Sequence, residues 1–208
     1  MKYLFGLFLV FSIYSNENLE KPYSELKRIL PENNYGWFYN EKQLTELFKK
    51  NKIQKIIEIG SWLGNSTMFF ARNITADGIV YAIDHWQGSI EHQEDKNREL
   101  LDNLYDQFLS NVIHNKLTKK IIPIKNSSYE ASFKLDETVD LIYIDGAHDE
   151  KNVFQDIYFY YPKLNSGGIM CGDDWSWGGV RNAVRKFAKI NNLELVYEDN
   201  FWYYKPKK

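Results

Sequence analysis

KIIEIGSWLGNS, residues 55–66, passes from a short apolar run into a glycine turn and then into residues with helical spacing. The run ended by Gly60 reads as a buried strand, since paired isoleucines suit a strand covered on both faces. Gly60 and Gly64 let the backbone turn tightly and approach a ligand, and the helix predicted over 65–73 offers free N–H groups to an anion. A dinucleotide site would need three glycines at G-x-G-x-x-G spacing, and the bulky Trp62 takes the place of the one that hugs the pyrophosphate. The turn thus argues against an NAD or FAD enzyme.

Outward from this turn, strands and helices alternate. Strands are expected at 79–84, 120–125, 139–146 and 167–173, and helices at 23–30, 41–51, 95–113, 150–161 and 180–190. Pro123 suits a position near an edge or a strand end for the third strand. Two final strands, 193–198 and 201–206, flank Asp199-Asn200, a two-residue hairpin signal. The alternation predicts an α/β fold: a mostly parallel sheet with helices on both faces and an antiparallel strand at the C-terminus. Without an internal repeat or a linker, residues 16–208 read as one domain.

Composition agrees. The 208 residues are 44% hydrophobic and 26% charged, which excludes a disordered tail or a fibre. A net charge of −2 provides no basic field for nucleic acid. The single Cys171 forms no internal disulfide, which suits a reducing, cytoplasmic compartment. Residues 1–15 point the other way: Lys2 precedes an apolar run of 12 residues, 3–14, that ends at Ser15. It reads as a signal peptide or membrane-targeting segment, the alternatives being a buried N-terminal helix or an upstream extension. The aromatic share, 16%, is unusually high.

In open parallel sheets ligands bind beyond the carboxyl ends of the strands. Asp84 ends the second strand, 24 residues after Gly60, an offset that suits an acid on ribose hydroxyls. E-x-G-x-x-x-G-x-S at 58–66, Asp84, IDGAH at 144–148 and GGIMCGDDW at 167–175 together resemble the class I S-adenosylmethionine-dependent methyltransferases. Within them the chain is most similar to methyltransferase family 24, which includes relatives of macrocin O-methyltransferase, and the resemblance covers roughly residues 35–204. It implies a Rossmann-like seven-stranded sheet and S-adenosylmethionine (SAM) as cofactor.

Carried over by position, the resemblance places Glu58, Gly60 and Gly64 around the methionine part and Asp84 on the ribose, with Ser61 and Ser66 as further cofactor-binding candidates and His85 as a cofactor-site or structural group. Asn126-Ser127 falls near the adenine, where the family usually has Asp-Ser. Trp62, Trp86 and Tyr143 are candidates to face the sulfonium or, equally, core aromatics.

Asp145, Asp173 and Asp174 follow two strands that such a sheet makes neighbours. Three converging carboxylates repel one another unless a cation joins them, and hard oxygen donors suit Mg²⁺ or another divalent cation, as in related cation-dependent O-methyltransferases. Otherwise the acids are turn and cap residues. Asp145 and His148 are the candidate catalytic residues, His148 either as general base or as a loop-ordering group. Trp175, Trp177 and the aromatic stretch 35–39 are expected to wall the acceptor pocket or to pack helices on the sheet. The preferred reading is metal-assisted O-methylation of a small sugar, polyol or phenolic acceptor. Its alternatives are a metal-independent methyltransferase and a non-catalytic exported protein that keeps the fold. The aromatic N-terminal arm is a candidate homodimer contact, residues 1–15 are the one candidate membrane contact, and nucleic acid is not an expected partner.

Overall fold

Apolar residues on both faces of β1 (Lys55–Ile59) and β4 (Val139–Ile144) suit these two strands to the centre of a seven-stranded sheet. The computed structural model describes residues 19–89 and 98–206, so the segment expected at 1–15 lies outside the described residues. β2 (Ile79–Asp84), β3 (Ile121–Lys125), β5 (Leu164–Gly172), β6 (Leu195–Glu198) and β7 (Phe201–Tyr204) complete the order β3-β2-β1-β4-β5-β7-β6. The first five strands are parallel, and β7 runs antiparallel to both β5 and β6. β3, with Pro123, is an edge strand, where a missing N–H costs least.

Two-residue alternation divides the core into two layers. Ile56, Tyr143 and Cys171 face α1 (Glu41–Lys50), α2 (Asn65–Asn73) and α4 (Leu104–His114). Ile57, Ile142 and Met170 face α5 (Ser128–Lys134), α6 (Glu150–Tyr160) and α7 (Gly178–Asn191). A short α3 (Arg98–Leu101) precedes α4. Burial in the first layer pushes the Cys171 thiol up, which keeps it an unreactive core group. Among the described residues no helix is long and apolar enough to cross a membrane.

The expected elements at 65–73 and 79–84 appear with those bounds, and the Asp199-Asn200 hairpin joins β6 to β7. Three expectations change. The helix predicted at 23–30 is only a 3₁₀ turn, Tyr23–Glu25. Pro31 disfavours helical backbone at Leu30. The chain then runs extended, with the Leu30 and Asn33 N–H groups bonded to Ser110 and Asn111 of α4. The single helix predicted over 95–113 is two, because the chain turns at Asp102-Asn103 before α4. α5 was not anticipated, although Ser127 caps its start: the Ser127 hydroxyl accepts from the Glu130 N–H at 3.2 Å.

Candidate active site

The strand order reverses between β1 and β4, and the ends of these strands come together there. The Asp145 N–H donates to the Ile59 carbonyl at 2.9 Å, and the Asp173 N–H to the Ile144 carbonyl at 3.1 Å. Tyr143 pairs with Cys171 and Ile144 with Gly172, so the acids after β4 and β5 are neighbours, as expected of two adjacent strands. A cavity of about 780 Å³ opens over these ends.

Its first wall is the turn after β1. Gly60, at φ +89°, passes so close to the next strand that a Cβ there would stand 2.0 Å from the Asp145 carbonyl oxygen. Ser61 and Ser66 line the cavity, whereas Gly64 shapes the turn from behind and begins α2. Glu58 lies beneath, fully buried, accepting from the Ser61 hydroxyl at 2.7 Å and from the Thr67 hydroxyl. Its Oε1 has no partner among the described residues. Burial pushes the Glu58 carboxyl up to about 7, against the hydrogen bonds that lower it.

That shift sets a stability slope. A carboxyl raised on folding stays protonated in the folded chain after it has ionised in the unfolded one, so stability falls from about pH 4.5 to about pH 7. The loss is at most roughly 3 kcal/mol. Glu58→Gln is expected to flatten the melting-temperature profile between pH 5 and 8 and to gain on wild type as pH rises. Parallel profiles would overturn the assignment.

Asp84 staples two loops. Its Oδ2 accepts from the Trp62 N–H at 2.9 Å and its Oδ1 from the Trp86 N–H at 2.7 Å. Both tryptophans take left-handed backbone, φ 47° and 50°, a strained state for a bulky residue that these bonds hold. Asp84 and His85 line the cavity, and the His85 Nδ1 accepts from the Gln87 N–H. Trp62 also lines it. Trp86 and Tyr143 do not: Trp86 packs on Tyr105 and Phe108, and Tyr143 is fully buried against Phe70. Asn126 stays out of the wall, its side-chain oxygen turned back to the Ser127 N–H at 3.0 Å, while Ser127 lines the cavity as the cap of α5.

The opposite wall carries the acids. Asp145, Asp173 and Asp174 all line the cavity. Desolvation by the surrounding protein holds the Asp145 carboxyl well above its usual range, and Asp173, Asp174 and Glu58 push it the same way. Asp173 is raised by burial and by Asp174. Its side chain is bonded by Asn40, whose Nδ2 also donates to the Tyr143 hydroxyl at 3.2 Å, and Tyr143 bonds Asp145 in turn. Asn40, buried just before α1, thus links the two acids. The local pattern gave no sign of it, because it lies more than a hundred residues from its partners.

His148 Nε2 sits 2.9 Å from Asp174 Oδ2, and its ring stacks on Trp177 at 4.5 Å and 17°. Trp37, Tyr39 and Trp177 wall the cavity, whereas Trp175 is a core residue stacked on Tyr197. Asn200 enters from the β6–β7 hairpin, its carbonyl accepting from the Trp175 N–H. Asp156 of α6 also lines the cavity, and the sequence reading passed over it. Among the described residues no three His, Cys, Asp or Glu side chains form a group able to hold a metal as they stand.

A family model for a methyltransferase domain, methyltransferase family 24, matches residues 57–175. The uncharacterized protein R132 of Acanthamoeba polyphaga mimivirus is 28% identical over 143 residues, which is 66% of this chain and 58% of that protein. The chain therefore spans less than two thirds of that relative's length. The structure of the O-methyltransferase from Bacillus cereus in complex with SAH is similar with a TM-score of 0.61 at 18% identity, over 81% of this chain and 80% of that one. The structure of TomG, an O-methyltransferase from Streptomyces achromogenes involved in tomaymycin synthesis, in complex with SAM, gives 0.63 at 14% identity over 88% and 84%. At these identities the structures establish the fold, and the family match establishes membership: the chain carries a methyltransferase domain and belongs to methyltransferase family 24.

Proposed function

We propose that the protein transfers the methyl group of SAM to a hydroxyl of a small sugar, polyol or phenolic acceptor, with a divalent cation held by Asp145, Asp173 and Asp174. One observation carries this reading: three carboxylates from two adjacent strand ends line one cavity beside the glycine turn. Their chemistry fits a hard cation. All three offer oxygen donors; burial raises Asp145 and Asp173 first, and the mutual charge repulsion that adds to it is the part a bound cation would reverse. Such an ion lowers the pKa of an acceptor hydroxyl and orients it.

The chain's own residues do the rest. Ser61, Ser66 and the start of α2 hold the methionine carboxylate, with Glu58 positioning the serine and threonine hydroxyls beneath. Asp84 accepts from the ribose hydroxyls and Trp62 offers its face to the sulfonium. Bound SAM would supply the methyl group to the acceptor oxygen and leave as S-adenosylhomocysteine, and His148 would take the hydroxyl proton. Trp37, Tyr39 and Trp177 suit a flat or ring-shaped acceptor, and no Lys or Arg stands among the described lining residues to favour a phosphorylated one.

The 2.9 Å contact between His148 and Asp174 favours a second reading, in which Asp174 orients His148 as general base and no metal takes part. Chelation separates them. Transfer of labelled methyl from SAM to a panel of catechols, polyols and free sugars is expected to fall at least about 10-fold in EDTA and to return with Mg²⁺. Turnover unchanged by EDTA would favour the metal-free dyad.

A further inference from the structure

Asp156 is a buried acid that the proposed transfer leaves unused. It sits on α6, 3% exposed, and lines the cavity. The Ser128 hydroxyl donates to its Oδ1 at 2.6 Å. The second oxygen has no hydrogen bond among the described residues. Around it stand Ser127, Ser128 and Tyr129 from the start of α5, and Asn152 and Gln155 from α6. None of these neighbours is charged, and Tyr129 adds an aromatic face.

This end of the cavity is where a base would lie. With the methionine part at the β1 turn and the ribose on Asp84 at the end of β2, the remaining portion of SAM extends toward α5 and α6. Asn126, the residue expected beside the base, turns its side chain back to its own loop. That leaves Asp156, from a different element, as the acid at this end. We propose that Asp156 reads the amino edge of the cofactor's adenine, its free carboxyl oxygen accepting a hydrogen bond from the N6 amino group. An acid only 3% exposed as a residue, with one oxygen held by Ser128 and the other open to the cavity, makes an amino group at this point favourable and an oxo group costly. Burial also pushes the Asp156 carboxyl up to about 7, so an N–H donor would relieve an unfavourable desolvation. The assignment rests on SAM as cofactor and is independent of the metal.

The test compares S-adenosylhomocysteine with S-inosylhomocysteine, in which an oxo group replaces the 6-amino group, by calorimetry on the full chain. Wild type is expected to prefer the adenosyl compound at least about 10-fold. In Asp156→Asn the amide oxygen keeps the Ser128 bond and the NH₂ faces the cavity, so the preference should shrink to near unity or invert. A preference unchanged in the variant, even with both affinities lowered, would mean that Asp156 only props α5. Should the variant not fold, wild type with the N6,N6-dimethyl analogue decides: at least about 10-fold weaker binding supports the contact, and equal binding overturns it.

Discussion

Asp145→Asn is expected to lower methyl transfer at least about 100-fold while leaving SAH affinity within about threefold of wild type. The backbone of the residue packs against the Gly60 turn, but its carboxyl belongs to the acidic wall, bonded through Tyr143 and Asn40 to Asp173, and is not among the groups assigned to the methionine part. Asparagine keeps the shape and one acceptor oxygen but removes the charge that a cation or a developing positive centre needs. Asp84→Ala is the contrasting arm. It frees the Trp62 and Trp86 N–H groups and removes the ribose acceptor, so cofactor affinity should fall first. Steady-state kinetics beside calorimetric titration with SAH measures both. Equal loss of affinity in the two variants would show that the division of the site into a cofactor wall and a reaction wall is wrong.

Gly60→Ala is expected to cost about 4 kcal/mol and to lower the melting temperature by about 10 °C. Two costs add: φ is +89°, and the new Cβ would lie 2.0 Å from the Asp145 carbonyl oxygen and 2.7 Å from the Gly146 Cα. Backbone on both sides leaves nothing flexible to give way, so the strands or the turn must move and cofactor binding should go with them. Gly167→Ala is the control. Its φ is also positive, +78°, but a Cβ there meets nothing within 4 Å, so only about 1 kcal/mol of backbone strain is expected. Thermal melts of the two variants decide. Similar small losses would mean that the β1–β4 crossing is looser than this packing implies.

Both predictions fall on residues that the sequence already marked. Short apolar runs ended by glycine or aspartate announce buried strands, and in a parallel sheet the residue after each strand lies at the ligand end. Asp84, Asp145 and Asp173 could therefore be placed from spacing. Trp86 and Tyr143 could not, since an aromatic beside a strand end looks the same whether it faces a ligand or the core, and register with the neighbouring helices decides. Asn126 stands after β3 as expected, and the Ser127 N–H of its own turn takes its side-chain oxygen. Asn40 and Asp156 were hidden for different reasons. Asn40 reaches its partners only through tertiary packing. Asp156 sits in a helical stretch where an acid normally reads as solvated, and only the fold shows it to be buried. α5 was legible and overlooked, since Ser127 and Glu130 carry a capping signal short of any long apolar stripe.

The reaction wall carries the central claim, and turnover of the full chain after chelation tests it most directly. Metal is removed with EDTA, Mg²⁺ is titrated back, and labelled methyl transfer is followed in wild type and Asp173→Ala with the acceptor that the panel identifies. The account predicts loss of at least about 10-fold on chelation, recovery with Mg²⁺ in wild type and no recovery in the variant. Full activity in EDTA, lost only when His148 is replaced by glutamine, would contradict it.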